Sequence, residues 1–184
     1  MSEEARQAAA PARPVLTGRT VTLRPGRPGD AELLHAILAE PSVSRWWGEP
    51  DPPEEVAAAL RSEGPTVLLV VQIGGEVAGG IQYHEEDDPQ YRHAGIDIYL
   101  GDRFQNQGAG TEAVTLLAGF LFRDRGHHRL AIDPAVANEA AIRCYTKVGF
   151  RPVGVMRAYE RGADGLFHEG LLMDMLAAEL TCGL

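Results

Sequence analysis

The sequence predicts an α+β fold, a mixed sheet covered by helices, and three observations carry that prediction. Two β-rich runs, Thr66 to Ile73 and Glu76 to Tyr83, meet at Gly74-Gly75, a strong hairpin signal. An extended apolar run, Ala94 to Leu100, turns through Gln105-Asn106-Gln107-Gly108-Ala109-Gly110-Thr111 into a helical run ending near Arg123. Two further strands follow the last helix, so the elements neither alternate strictly nor segregate.

Taken in order, residues 1–14 are rich in Ala, Glu and Pro without periodicity and read as a disordered tail. Residues 15–184 then form a single domain, long enough to bury a proper core. Thr20 to Arg24 alternates like a strand and stops at Pro25. Asp30 reads as the cap of a short helix whose apolar face is Leu33, Leu34, Ile37 and Leu38. Ser42 to Pro50 reads as a loop holding both tryptophans, Trp46 and Trp47, one able to serve the core and the other to line a pocket. Pro53 to Arg61 has proline at its start and Glu54 and Glu55 in its first turn, as a helix should.

After the hairpin, His84 to Pro89 is an acidic loop, and His93 to Leu100 is the strand that enters the glycine turn. The following helix places Val114, Leu117, Ala118 and Leu121 on one face. Arg129 to Asp133 is a short strand stopped by Pro134. Asn138 caps a helix that Gly149 closes. Phe150 to Tyr159 and Leu166 to Met175 form the final hairpin.

Composition excludes several classes. Lys and Arg number 17 against 26 Asp and Glu, a formal charge of −9, so nucleic acid is not an expected partner and a cationic ligand is. Cys144 and Cys182 are far apart with no metal-ligand spacing, which fits a reduced, cytoplasmic setting and no metal. No apolar run reaches about 18 residues, so no membrane span is expected. Monomer and homodimer both remain open.

The stretch Gln105 to Thr111 carries the first chemistry. A strand that turns through glycines into a helix start offers unpaired N–H groups at the positive end of the helix dipole. No Lys-Ser/Thr follows, as a nucleotide P-loop needs, and the third glycine of a dinucleotide fingerprint is missing. A plain turn and an anion loop are both compatible with Q-x-x-G-x-G alone. Asp97 stands inside an apolar strand, where a carboxylate without a partner is costly; a salt bridge to Arg143 is the bland explanation. Asp133, ahead of Pro134, is either a turn cap or a ligand group. His127, His128 and His168 read as surface residues, and Cys144 as a small buried hydrophobe.

Asn138 to Phe150 reads Asn-Glu-Ala-Ala-Ile-Arg-Cys-Tyr-Thr-Lys-Val-Gly-Phe, and with Q-x-x-G-x-G some thirty residues earlier it resembles the GNAT superfamily of acetyl-CoA-dependent N-acetyltransferases. Within it, Val21-Thr22-Leu23-Arg24, Trp46-Trp47-Gly48, Gly95-Ile96-Asp97 and Asp133-Pro134 are similar to aminoglycoside 6′-N-acetyltransferases. The resemblance implies a mostly antiparallel sheet of about seven strands, splayed between the fourth and fifth, with helices on both faces. It implies acetyl-CoA as donor, with Gln105, Gln107, Gly108, Ala109, Gly110 and Thr111 at its pyrophosphate and Asn138 and Tyr145 along its pantetheine. Asp97 is then the group that orients the amine and takes its proton, and Tyr145 the donor to the leaving thiolate.

The implied acceptor is a polycationic amine, most simply the 6′-amine of an aminoglycoside antibiotic. It would be held by Asp97 and Asp133, by Glu85 and Glu86 of the acidic loop, and by Glu160, with Trp46, Trp47 and Tyr83 against its rings. The acidic loop is equally readable as a solvated turn. A siderophore lysine, a polyamine or a protein N-terminus is an alternative acceptor, and an acyl-CoA-binding sensor without catalysis is the non-enzymatic one. The stretch Met156 to Leu166 departs most from the aminoglycoside enzymes.

Overall fold

The computed structural model describes residues 13–162 and 164–180. Most of the expected tail, and Cys182, lie outside the described residues. The strands are β1 (Leu16–Thr17), β2 (Val21–Arg24), β3 (Thr66–Ile73), β4 (Glu76–Glu86), β5 (His93–Leu100), β6 (Arg129–Ile132), β7 (Arg151–Arg161) and β8 (Phe167–Leu176). The helices are α1 (Asp30–Leu38), α2 (Pro41–Trp47), α3 (Pro53–Arg61), α4 (Ala109–Arg123) and α5 (Glu139–Val148). The strands form one sheet in the order β1-β2-β3-β4-β5-β6-β8-β7, so the two-residue β1 is the addition to the seven expected.

All neighbours pair antiparallel except β5 and β6, which run parallel and touch only at Ala94↔Leu130 and Gly95↔Ala131. Past Gly95 the two strands part. β5 from Ile96 to Leu100 then keeps β4 on one edge and leaves its other edge open, which is the expected splay.

Strand alternation sorts the side chains onto two cores. On one face, Ile81, Tyr83, Ile96 and Leu130 pack with Leu117 and Leu121 of α4 and Val148 of α5. On the other, Leu68, Val70 and Tyr99 pack with Leu34, Ile37, Val43, Val56 and Leu60 from α1, α2 and α3.

Several local expectations are corrected. The tryptophan stretch is helical, not a loop: Pro41 sits at the start of α2, where its missing N–H costs nothing. Asp30 is not a side-chain cap, because Gly29 occupies the cap position. Asp30 instead makes a buried ion pair with Arg24, Nη1 to Oδ2 at 2.6 Å. Leu33 points out, 52% exposed, while Leu34, Ile37 and Leu38 face inward. His127 is a buried residue, not a surface one.

The acidic loop is shorter than expected because β4 runs on to Glu86. Glu85 therefore falls on the same face as Tyr83 and its side chain is covered there, bonded to Arg125 (Nη2 to Oε2, 2.8 Å) and His127 (Nε2 to Oε1, 2.7 Å). Burial works to raise the Glu85 pKa, but these two bonds outweigh it and hold the carboxyl below its usual range. Burial is also the main reason that the His127 pKa is lowered.

Candidate active site

The glycine turn is built as an anion cradle. Gly108 is the cap residue of α4, at φ 84°, and no side chain caps that helix, so its first amides carry no side-chain acceptor. Asn106 is also left-handed, at φ 58°. The turn is pinned from within: Gln105 Nε2 donates to the Leu100 carbonyl at 2.8 Å and to Ser42 Oγ at 3.2 Å.

A cleft of about 410 Å³ opens between this turn, the free edge of β5 and α5. Gln105, Gly108, Gly110, Thr111, Asn138 and Tyr145 line it, and Arg45, Arg143 and Lys147 add positive charge, which suits a polyphosphate. Gln107 and Ala109 are not part of this lining. The Gln107 side chain folds back to donate to the Arg103 carbonyl at 2.6 Å, and Ala109 is buried. Cys144 does line the cleft, half-buried, with Sγ 3.3 Å from Thr111 Oγ1.

Asn138 caps α5 as its spacing predicts, Oδ1 accepting from Ala141 N at 3.2 Å. The residue itself lines the cleft. Tyr145, on the same helix face, is buried and packs edge-on to Phe150. Burial, reinforced by Cys144, Asp97 and Asp133, pushes its phenol well above the ordinary value, so it stays protonated.

A second cavity of about 610 Å³ adjoins the first, and Trp46, Trp47, Ile98, Asn138, Ala141 and Tyr145 belong to both. Three carboxylates line it: Asp97, Asp133 and Glu160. Asp97 is matched across the sheet with Gln82, whose Nε2 donates to Oδ2 at 3.0 Å. Burial raises the Asp97 pKa; Gln82 opposes that shift and the nearby Asp133 adds to it. The salt bridge to Arg143 does not form; Arg143 pairs with Glu139 at 3.1 Å on the exposed side of α5. Glu160 is raised likewise, by burial first and then by Asp133 and Asp97.

Two aromatic expectations divide. Trp46 and Trp47 both line the cavities, and Trp47 meets the Tyr99 ring edge-on at 4.9 Å between centroids. Tyr83 does not: it is fully buried on the opposite face, against Phe120. Period two decides this, since Gln82 and His84 face the cavity and the residues between and beyond them, Tyr83 and Glu85, cannot. Glu86 is exposed and lies outside the cavity lining, its Oε1 accepting from Asp88 N at 2.9 Å.

The structure also places residues that the sequence did not single out. His84 stands opposite Gly95, and its ring occupies the space where a Cβ on Gly95 would sit, 2.0 Å from Cε1. Tyr159 reaches the cavity because β7 bulges between Met156 and Glu160, with Ala158 at φ 50°. Its ring crosses the bare backbone of Gly170, and its hydroxyl donates to Asp133 Oδ2. That bond, then burial, pushes the Tyr159 pKa up to about 12.

Residues 20–151 match the acetyltransferase (GNAT) domain family. The chain is 31% identical over 156 residues to the aminoglycoside N(6′)-acetyltransferase type 1 of Klebsiella pneumoniae, covering 74% of this chain and 77% of that one. It is 40% identical over 78 residues to a kanamycin resistance protein of Rhizobium radiobacter, covering 42% of this chain and 70% of that one. Among solved structures, AAC(6′)-Ib in complex with paromomycin and acetyl-CoA superposes with TM-score 0.72 at 25% identity, over 90% of this chain and 99% of the other. RimJ of Mycobacterium smegmatis, in complex with CoA-disulfide, gives TM-score 0.78 at 23% identity, over 89% and 85%, a likeness of fold. The chain therefore belongs to the GNAT family and is an acetyl-CoA-dependent N-acetyltransferase.

Proposed function

We propose that the chain transfers the acetyl group of acetyl-CoA to the 6′-amine of an aminoglycoside. One observation carries this reading: three carboxylates, Asp97, Asp133 and Glu160, line a cavity that opens into the cofactor cleft at Tyr145 and Asn138. Burial and mutual repulsion raise Asp97 and Glu160, so the cavity favours a ligand that brings positive charge of its own. The relatives named for aminoglycosides and kanamycin support the same acceptor.

Acetyl-CoA supplies the activated acyl group, to be held by the α4 amides, Asn138 and the cationic rim. The acceptor enters as an ammonium, which has no lone pair. Asp97 takes a proton from it, directly or through water, and a carboxyl whose pKa is raised is a better base for that step. The neutral nitrogen forms its bond to the acyl carbon, the carbon–sulfur bond breaks, Tyr145 gives its proton to the departing sulfur, and the second proton of the acylated nitrogen, passed on through water, restores the phenol. In this reading a backbone donor on the free edge of β5 polarises the acyl oxygen. Asp133 and Glu160 hold the remaining ammonium groups.

The test is an amine panel with acetyl-CoA, read as thiol release and as mass gain of the acceptor. It contains kanamycin, tobramycin, spermidine, lysine and an N-terminal peptide. Aminoglycosides should dominate kcat/KM, with the acetyl on the 6′ nitrogen. Turnover of another amine with silence on every aminoglycoside discards the reading.

A further inference from the structure

The acceptor cavity does not end at Glu160. A further chamber of about 660 Å³ adjoins it, and Trp46, Ala135 and Glu160 form the wall common to both. Past that wall the lining changes character. Val136 and the 63% exposed Phe167 add apolar surface to Trp46, and Glu169 adds a carboxylate. Asp164 is already engaged, with His168 Nε2 at 2.9 Å from its Oδ1, and the Arg45 guanidinium is held over the Trp46 ring, 4.5 Å from its centroid. Glu169, among the described residues, has no side-chain partner of this kind.

We propose that this chamber is a subsite for the distal, non-reacting end of the acceptor, and that it takes an apolar-faced scaffold bearing a second ammonium. The inference rests on the acceptor reading above and extends it from the reacting amine to the length of the molecule. Trp46, Val136 and Phe167 cover the C–H face of a ring or alkyl chain, while Glu160 and Glu169 receive the distal charge. Remote binding of this kind is what fixes the reacting nitrogen against the acyl carbon. Part of the chamber wall, Glu160, Gly162 and Asp164, falls in the stretch Met156 to Leu166 that departs most from the aminoglycoside enzymes, so it sets a preference of this chain's own.

The experiment compares three acceptors that share one reacting half. Neamine has two rings, ribostamycin adds a neutral sugar, and kanamycin B adds an amino sugar. Wild-type kcat/KM should rank kanamycin B first, roughly tenfold above neamine, as for one added charge-assisted contact. Val136→Trp, which fills the chamber, and Glu169→Gln, which removes its free carboxylate, should each bring the ratio toward one. Partial misfolding lowers both substrates by one common factor, which cancels in the ratio, so the ratio reports the folded variant alone. A wild-type ratio of one, or a ratio untouched by both variants, overturns the subsite. Silence on all three acceptors overturns the aminoglycoside reading instead. The chamber is then judged by the same variants on spermine against putrescine, where a ratio of one overturns it.

Discussion

Gln82 Nε2 donates to Asp97 Oδ2 at 3.0 Å, across a register that sets the two residues directly opposite on β4 and β5. The bond stabilises the ionised carboxylate and so opposes the burial that raises its pKa. Replacing Gln82 with Leu removes the lowering influence. The acid limb of the kcat/KM profile should therefore move to higher pH, with acetyl-CoA affinity intact. A profile that keeps its position would mean that Asp97 is not the group whose ionisation limits the rate.

Tyr145 is kept protonated by burial and by the negative groups around it. Tyr145→Phe keeps the ring packing on Phe150 and removes only the proton donor. The rate of the chemical step should fall by about 10²-fold or more, with near-unchanged binding of desulfo-CoA. Single-turnover mixing resolves the two, and a full-speed Phe variant would assign protonation of the sulfur to water.

Tyr159 fixes Asp133 through the bulge of β7, and Gly170 makes room for its ring. Tyr159→Phe should raise the acceptor KM about fivefold, the worth of one hydrogen bond of roughly 1 kcal/mol, and leave the acetyl-CoA KM alone. Steady-state kinetics with each substrate varied in turn separate these effects. An increase in both KM values would point to a general loosening of the hairpin.

How much of this was legible in the sequence depends on which physical rule governs each residue. Asp97 could be read because an acid in an apolar strand is anomalous, and Asn138 because its cap role is local. The glycine turn and Tyr145 became legible only through the resemblance to the GNAT superfamily, since each alone reads equally as a plain turn and a core tyrosine. Glu85 was misplaced because the strand runs three residues beyond its apolar pattern, whereas Tyr83 was already inside the expected strand, where alternation with Ile81 puts it on the buried face. Gln82 and His84 follow from the same alternation once the strand length is known. Tyr159 had no such signal: it depends on a bulge and on a left-handed Ala158, which no local preference of alanine announces.

The buried Glu85–Arg125–His127 cluster makes folding sensitive to acid. Glu85 is held below its ordinary value of 4.5, so its contribution is full above that value and is lost as pH falls through the lower folded value. His127 is held below 6.5, so the unfolded ring takes a proton that the folded one resists, and stability declines as pH drops below that value. Urea unfolding from pH 7.5 to pH 4 should show this decline. Glu85→Gln should cost about 3 kcal/mol at neutral pH, the penalty for breaking a buried pair, and the gap to wild type should narrow in acid. A gap constant across the range would show that the cluster does not ionise as its contacts imply.

Replacing Asp97 with Asn bears most directly on whether a half-buried carboxylate delivers a neutral amine to the acyl group. Titration calorimetry with acetyl-CoA and turnover with the best acceptor should be measured on the same preparation. An unchanged Kd with kcat lowered by about 10² to 10⁴ is the expected result. A Kd weakened in step with kcat, or a variant that turns over at the wild-type rate, would contradict it.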